Sequence, residues 1–316
     1  MSVSHLCQSR LYKIFEIRLI LSKYLAFFVF LLLKNFSSFI NMKYGITILV
    51  GFLFLIRCTM NGDTKANKDA AVAAKAVVEK KKTMPDIVPD TFSLNYIMGK
   101  FDPSEHKDFV LVNAAYCSEK KEIWLRKETY TAFLQMAAAA KKDKVALQIL
   151  SGTRNFEYQK RIWENKWTGK QRIEDGRNAA KVFPKDLAAR ALKILEFSSM
   201  PSTSRHHWGT DMDLNYLSND YFKNGQGKKI YDWLNANAAT YGFCQPYSDK
   251  ADGRTGYNQE KWHWTFMPVS RVLTRLAKAN LKNEMIVGFE GAETAPAINV
   301  VEKYVLGIKP ACAIED

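Results

Sequence analysis

Ser204-Arg205-His206-His207-Trp208-Gly209-Thr210-Asp211-Met212-Asp213, followed roughly 50 residues later by Glu260-Lys261-Trp262-His263, decides how this chain is read. The two stretches hold imidazole and carboxylate groups, both of which ligate zinc. Zn²⁺ in hydrolases takes three protein ligands and leaves a fourth position open. His206, Asp213 and His263 supply that number. Glu260 is then left over, beside the last histidine, as the base of a metal-assisted hydrolysis. The residues alone therefore point to a zinc-dependent peptidase. Two other groups compete for the ligand roles. Asp211 shares a strand face with Asp213, because residues i and i+2 point the same way, and His207 adjoins His206. For both, surface positions or support of a ligand are expected, and Asp211 is suited to orienting a ligand histidine.

The spacing Ser-x-His-x-x-Gly-x-x-x-Asp, followed by Glu-x-Trp-His, resembles the VanY-type D-alanyl-D-alanine carboxypeptidases. These are zinc peptidases that trim the stem peptides of bacterial peptidoglycan. Ser151-Gly152-Thr153-Arg154 to Gln159 resembles a further segment of that family. Tyr231-Asp232-Trp233-Leu234 to Tyr241-Gly242-Phe243 resembles the helix and exit turn between its zinc motifs. The likeness covers roughly residues 90 to 280. It implies Zn²⁺ held by His206, Asp213 and His263, with Glu260 as general base. It implies Arg154 as the donor to the oxyanion, and Ser204 and Gln159 as binders of the substrate's terminal groups. One departure is Asp211, where the family more often has alanine. The motifs do not separate a D,D-carboxypeptidase from an L,D-carboxypeptidase or a crosslink endopeptidase with the same site. A non-catalytic wall-binding lipoprotein with structural zinc is a further alternative, against which Glu260 and Arg154 both stand.

Upstream, Leu25 to Leu33 is apolar but too short for a membrane span of about 20 residues. Met42-Lys43, the apolar run Tyr44 to Ile56, and Cys58 form the pattern of a complete bacterial signal peptide. Translation is expected to start at Met42, with residues 1–41 a non-native extension; a membrane hairpin or anchor is the alternative. Leu55-Ile56-Arg57-Cys58 resembles a lipobox, with Arg57 a poor fit. Residues 58–84 lack aromatics and are rich in Lys, Ala, Asp and Asn, so they read as a flexible tether. Residues 85–316 are left for the zinc carboxypeptidase domain, long enough for a substantial core. The expected location is the exported side of the cell envelope, by a lipid or signal anchor, with a monomeric enzyme.

The formal charge of +14 is concentrated upstream: residues 1–57 carry +6 and residues 59–83 carry +3, leaving about +5 for the remainder. No basic stripe with interleaved aromatics is present, which argues against a nucleic-acid partner. The cysteines are Cys7, Cys58, Cys117, Cys244 and Cys312, with no C-x-x-C pair to suggest a thiolate metal site. Sequence alone does not fix their pairing. Cys117 and Cys312, near the two ends of the domain, are the expected disulfide, with Cys244 a buried thiol.

Periodicity predicts helices over 127–142, 156–166, 184–197, 230–240 and 269–281. Tyr130, Phe133, Leu134 and Ala137 mark the apolar face of the first. Strands are expected over 145–150, 211–214 and 261–266, and the tail from Ile286 to Cys312 as loops with a short helix or strand. The order of elements suggests α+β, a small antiparallel sheet packed with helices. The resemblance implies the same class, a hedgehog/DD-peptidase-like zinc peptidase domain.

Overall fold

The computed structural model describes residues 92–119 and 121–313. The expected extension, signal segment and tether, residues 1–84, lie outside the described residues.

The chain enters with a single helical turn, α1 (Leu94–Ile97), capped by the Ser93 hydroxyl. A short antiparallel hairpin follows, β1 (Phe109–Leu111) with β2 (Trp124–Arg126). Helix α2 (Lys127–Lys142) has the bounds its periodicity predicts. Its buried stripe is turned slightly from the expected one: Thr129, Ala132, Phe133, Met136, Ala137 and Ala140 face the core, while Tyr130 and Leu134 lie at its margin. Strand β3 is Ile149–Ser151, shorter and later than the 145–150 expected. Asn155 then caps α3 (Phe156–Trp167) through its side-chain oxygen. Two shorter helices, α4 (Ala179–Val182) and α5 (Leu187–Ile194), pack near α3.

The central sheet is completed by β4 (Asp211–Leu214), β5 (Phe243–Cys244) and β6 (His263–Phe266), with α6 (Gly225–Asn237) between β4 and β5. Its strand order is β3-β4-β6-β5 and every pairing is antiparallel. All residues of β4 and β6 are buried, as expected of middle strands covered on both faces. The fold class is therefore the α+β arrangement that the sequence suggests. The β4–β6 register sets Asp213 opposite His263 and Asp211 opposite Thr265. Helix α7 (Met267–Asn280) starts directly after β6, with Pro268 in its first turn. The tail adds short turns, α8 (Ala295–Ile298) and α9 (Pro310–Ala313), and no strand among its described residues. Among the described residues, no helix is long and apolar enough to cross a membrane.

The disulfide expectation is corrected. Cys244 bonds Cys312, and Cys117 is a free, partly buried thiol. The strand order gives the reason. Cys117 bridges to Ile149 on β3, at one edge of the sheet. Cys312, on α9, reaches β5 at the other edge. Closeness to the chain ends carried no information about which edge each cysteine would meet.

Candidate metal centre

Three elements converge to build the site. Strands β4 and β6 deliver Asp213 and His263 as directly opposed neighbours. A 3₁₀ turn, Arg205–Trp208, delivers His206, and Gly209 ends that turn in the left-handed conformation at φ 73°. A Cβ at Gly209 would also lie 2.5 Å from the Phe109 ring, so glycine is required there twice over. The Ser204 side chain caps the turn, accepting from the His206 backbone N–H at 3.3 Å.

Hydrogen bonds to the far side of each ring fix which nitrogen faces the centre. His206 Nδ1 lies 2.7 Å from the Gly152 carbonyl, which only accepts, so Nδ1 carries the proton and Nε2 has a lone pair. His263 Nε2 lies 2.8 Å from Asp211 Oδ2, which leaves Nδ1 as its inward atom. His206 Nε2 stands 3.3 Å and His263 Nδ1 3.2 Å from Asp213 Oδ1. His206 Nε2 and Asp213 Oδ1 are buried acceptors with no hydrogen-bond partner among the described residues. Two acceptors that face one another in a buried site are answered by a proton or a metal cation between them. Tetrahedral donors about 2.0–2.1 Å from a zinc ion stand about 3.3 Å apart. The donor set and its spacing therefore fit zinc. Among the described residues, His206, Asp213 and His263 form the group able to hold a metal, all three at most 3% exposed.

Glu260 stands at the rim of this group, its Oε2 3.4 Å from His263 Nδ1. Burial raises its pKa above the ordinary carboxylate range, opposed by the hydrogen bond with His263. Burial and the Arg154 guanidinium hold the His206 pKa down. Burial also opposes charge on His263, but Asp211, Asp213 and Glu260 outweigh it and push its pKa well up. Of these, Asp213 and Glu260 face the inward Nδ1, at 3.2 and 3.4 Å. Asp213 is held well below its usual range, the facing imidazoles outweighing the cost of burial.

Arg154 leaves β3 on the loop toward α3. Its backbone N–H donates to the His206 carbonyl, and its Nε has no partner among the described residues. Its charge acts on both His206 and Glu260. Gln159 is buried, with Nε2 donating to the Ser199 carbonyl and Oε1 unpartnered. Trp208 and Trp262 are packing residues: Trp208 lies under the Arg205 guanidinium, and Trp262 stacks with Phe197. A cleft of about 520 Å³ runs between Gly99–Asp102, Asn155–Glu157 and Val287–Gly288. It starts one residue beyond Arg154 and includes none of the metal donors.

Sequence reasoning left His207 without a specific task. In the structure its Nδ1 donates to the Arg154 carbonyl at 2.6 Å, and its Nε2 accepts from the Ser202 N–H at 3.1 Å. The ring thus ties the Arg154 loop to the turn that carries His206. Gly99 makes room for it: a Cβ there would lie 2.3 Å from His207 Nδ1. Burial drives the His207 pKa down to about 3, so the folded protein keeps it neutral. The unfolded chain binds a proton at this histidine from about pH 6.5 downward. Stability from His207 is therefore lost progressively as pH falls from about 6.5 toward 3. His207→Phe keeps the ring but orphans two buried backbone groups. It is expected to cost about 2–4 kcal/mol, measured by denaturant unfolding. Its melting temperature should also fall less steeply than the wild type's as pH is lowered from 7 to 4.

Comparison with known proteins agrees with this geometry. Residues 122–269 match the family model described as VanY: D-alanyl-D-alanine carboxypeptidase. The chain is 30% identical to the protein YodJ of Bacillus subtilis (strain 168) over 173 residues, 54% of this chain and 55% of that protein. It is 26% identical to a D-alanyl-D-alanine carboxypeptidase of Enterococcus faecalis (strain ATCC 700802 / V583) over 131 residues, 42% of this chain and 44% of that one. The chain spans about half the length of these relatives. Among solved structures, the LdcB LD-carboxypeptidase is similar with TM-score 0.41 and 23% identity, covering 67% of this chain and 81% of that one. Thus a His/Asp/His group able to hold a metal lies within the stretch that is similar to a carboxypeptidase family.

Proposed function

We propose that this protein is a zinc-dependent carboxypeptidase that removes the C-terminal D-alanine from peptidoglycan stem peptides at the cell envelope. The observation that carries the proposal is the convergence of His206 Nε2, Asp213 Oδ1 and His263 Nδ1, with the Glu260 carboxylate beside them. Similar proteins bear both D,D- and L,D-carboxypeptidase names, so the reading is set at the terminal D-alanine rather than at the residue before it. The Cys244–Cys312 bond suits an exported enzyme. Anchoring through Cys58 stays part of the proposal on the sequence pattern alone.

Zinc bound to the three donors supplies Lewis-acid chemistry, polarising a carbonyl and lowering the pKa of water. Glu260, its pKa raised by burial, takes the proton of the attacking water and hands it to the departing amine. Arg154 offers guanidinium donors to the charge that develops on the carbonyl oxygen. Ser204 and Gln159 are assigned the substrate's terminal groups; the unpartnered Gln159 Oε1 is compatible with that role. Asp213 and the two histidines stay in place throughout, held by the β4–β6 register and the Gly152 and Asp211 contacts.

The test is release of D-alanine from a pentapeptide stem ending in D-Ala-D-Ala and from the corresponding tetrapeptide, with metal analysis alongside. Release from the pentapeptide alone identifies a D,D-carboxypeptidase, and release from the tetrapeptide alone an L,D-carboxypeptidase. Activity is expected to vanish with a chelator, return with zinc, and resist penicillin-type acylating inhibitors, since no acyl-enzyme is formed. Zinc binding without release from either peptide would overturn the carboxypeptidase reading in favour of a crosslink endopeptidase or a wall binder.

A further inference from the structure

We propose that Asp211, held in turn by Arg205, is a positioning residue that fixes the His263 ring with Nδ1 toward the metal. This rests on the zinc reading above and extends it to residues outside the donor set. Asp211 and Asp213 lie two apart on β4, both fully buried and both near His263, yet only Asp213 has an oxygen free toward the centre. Both oxygens of Asp211 are engaged. Oδ2 meets His263 Nε2 at 2.8 Å and Arg205 Nε at 3.2 Å. Oδ1 accepts from the hydroxyls of Thr210 at 2.7 Å and Thr265 at 2.6 Å. With every lone pair directed elsewhere, Asp211 does not compete for the cation.

What remains for it is orientation. An imidazole with no partner on its outer nitrogen can carry its proton on either nitrogen and can turn about its side-chain bond. The Asp211 contact removes both freedoms, because only a protonated Nε2 donates to the carboxylate. Arg205 makes this feasible in a dry interior. Its guanidinium neutralises Asp211, and its other nitrogens donate to Thr274 at 2.9 Å and Thr265 at 3.3 Å. The pair therefore orients His263 without adding net charge to the centre. Fold stability alone gives no reason for such a network, since buried ion pairs are often replaceable by apolar groups at little cost.

The experiment measures zinc affinity of the full chain by competition with a chromophoric chelator, for wild type, Asp211→Ala and Asp211→Asn. Melting of the metal-free proteins monitors the fold. Asp211→Ala is expected to weaken zinc roughly 10- to 100-fold. Asp211→Asn, which keeps an acceptor for Nε2–H, should restore most of that loss; a merely structural carboxylate would not show this ordering. In zinc-loaded wild type, ¹⁵N-histidine spectra should show a slowly exchanging Nε2–H on His263. A folded Asp211→Ala that binds zinc within twofold of wild type would overturn the proposal. Where Asp211→Ala does not fold, a wild-type His263 found with its proton on Nδ1 would overturn it equally. Failure of wild type itself to bind zinc would remove the metal reading, and is distinguished by that one measurement.

Discussion

Glu260→Gln is expected to lower turnover roughly 10²- to 10⁴-fold while the protein still binds zinc. The amide has the size and shape of the carboxylate, so the packing around this buried position is retained. What is lost is basicity. Glu260 lies outside the group of three metal-capable residues, although its Oε2 comes within 3.4 Å of His263 Nδ1. The two quantities to measure are the rate of D-alanine release at saturating substrate and the zinc content after dialysis. Full zinc content with collapsed turnover supports the base role. Zinc affinity that falls as far as turnover would mean that Glu260 closes the site as a fourth ligand. The metal would then be structural.

Replacing both Cys244 and Cys312 with serine is expected to cost about 4 kcal/mol of stability, from the loop entropy of a crosslink spanning 68 residues. For a domain of this size that corresponds to a fall of about 8–16 °C in melting temperature. The bond ties β5 to α9, and β5 lies against β6, which carries His263. Zinc affinity should therefore weaken in the variant at temperatures near its melting point and be close to normal well below it. Thermal unfolding of wild type with and without reductant gives an independent measure of the same quantity. Cys117→Ser serves as control and should change neither. Equal melting temperatures for wild type and the double variant would sink the prediction.

The parts of this molecule that could be read in advance share a physical property: their signal is local. Helix α2 has the bounds of its apolar repeat, and β4 those of its motif. The donors are named by residue type and spacing, and the structure brings the three together. The rest depended on contacts across the sheet. Strands of two or three residues, such as β5, β1 and β2, are too short for alternation to register. The cysteine pairing required the strand order. The task of His207 depended on which backbone groups lay within reach of each ring nitrogen, and no spacing rule conveys that. The one usable hint was Gly99, whose missing side chain leaves space for the ring.

On the zinc reading proposed above, the opposition of Asp213 and His263 across β4 and β6 would make the metal a reader of strand alignment. A slip of one residue between these strands would send the carboxylate to the other face and set Met212 or Leu214 opposite His263. A chain misfolded in that way offers zinc no carboxylate beside that imidazole, and would bind it poorly. Zinc present while the protein folds would thus trap correctly aligned molecules and leave slipped ones exchanging until they realign.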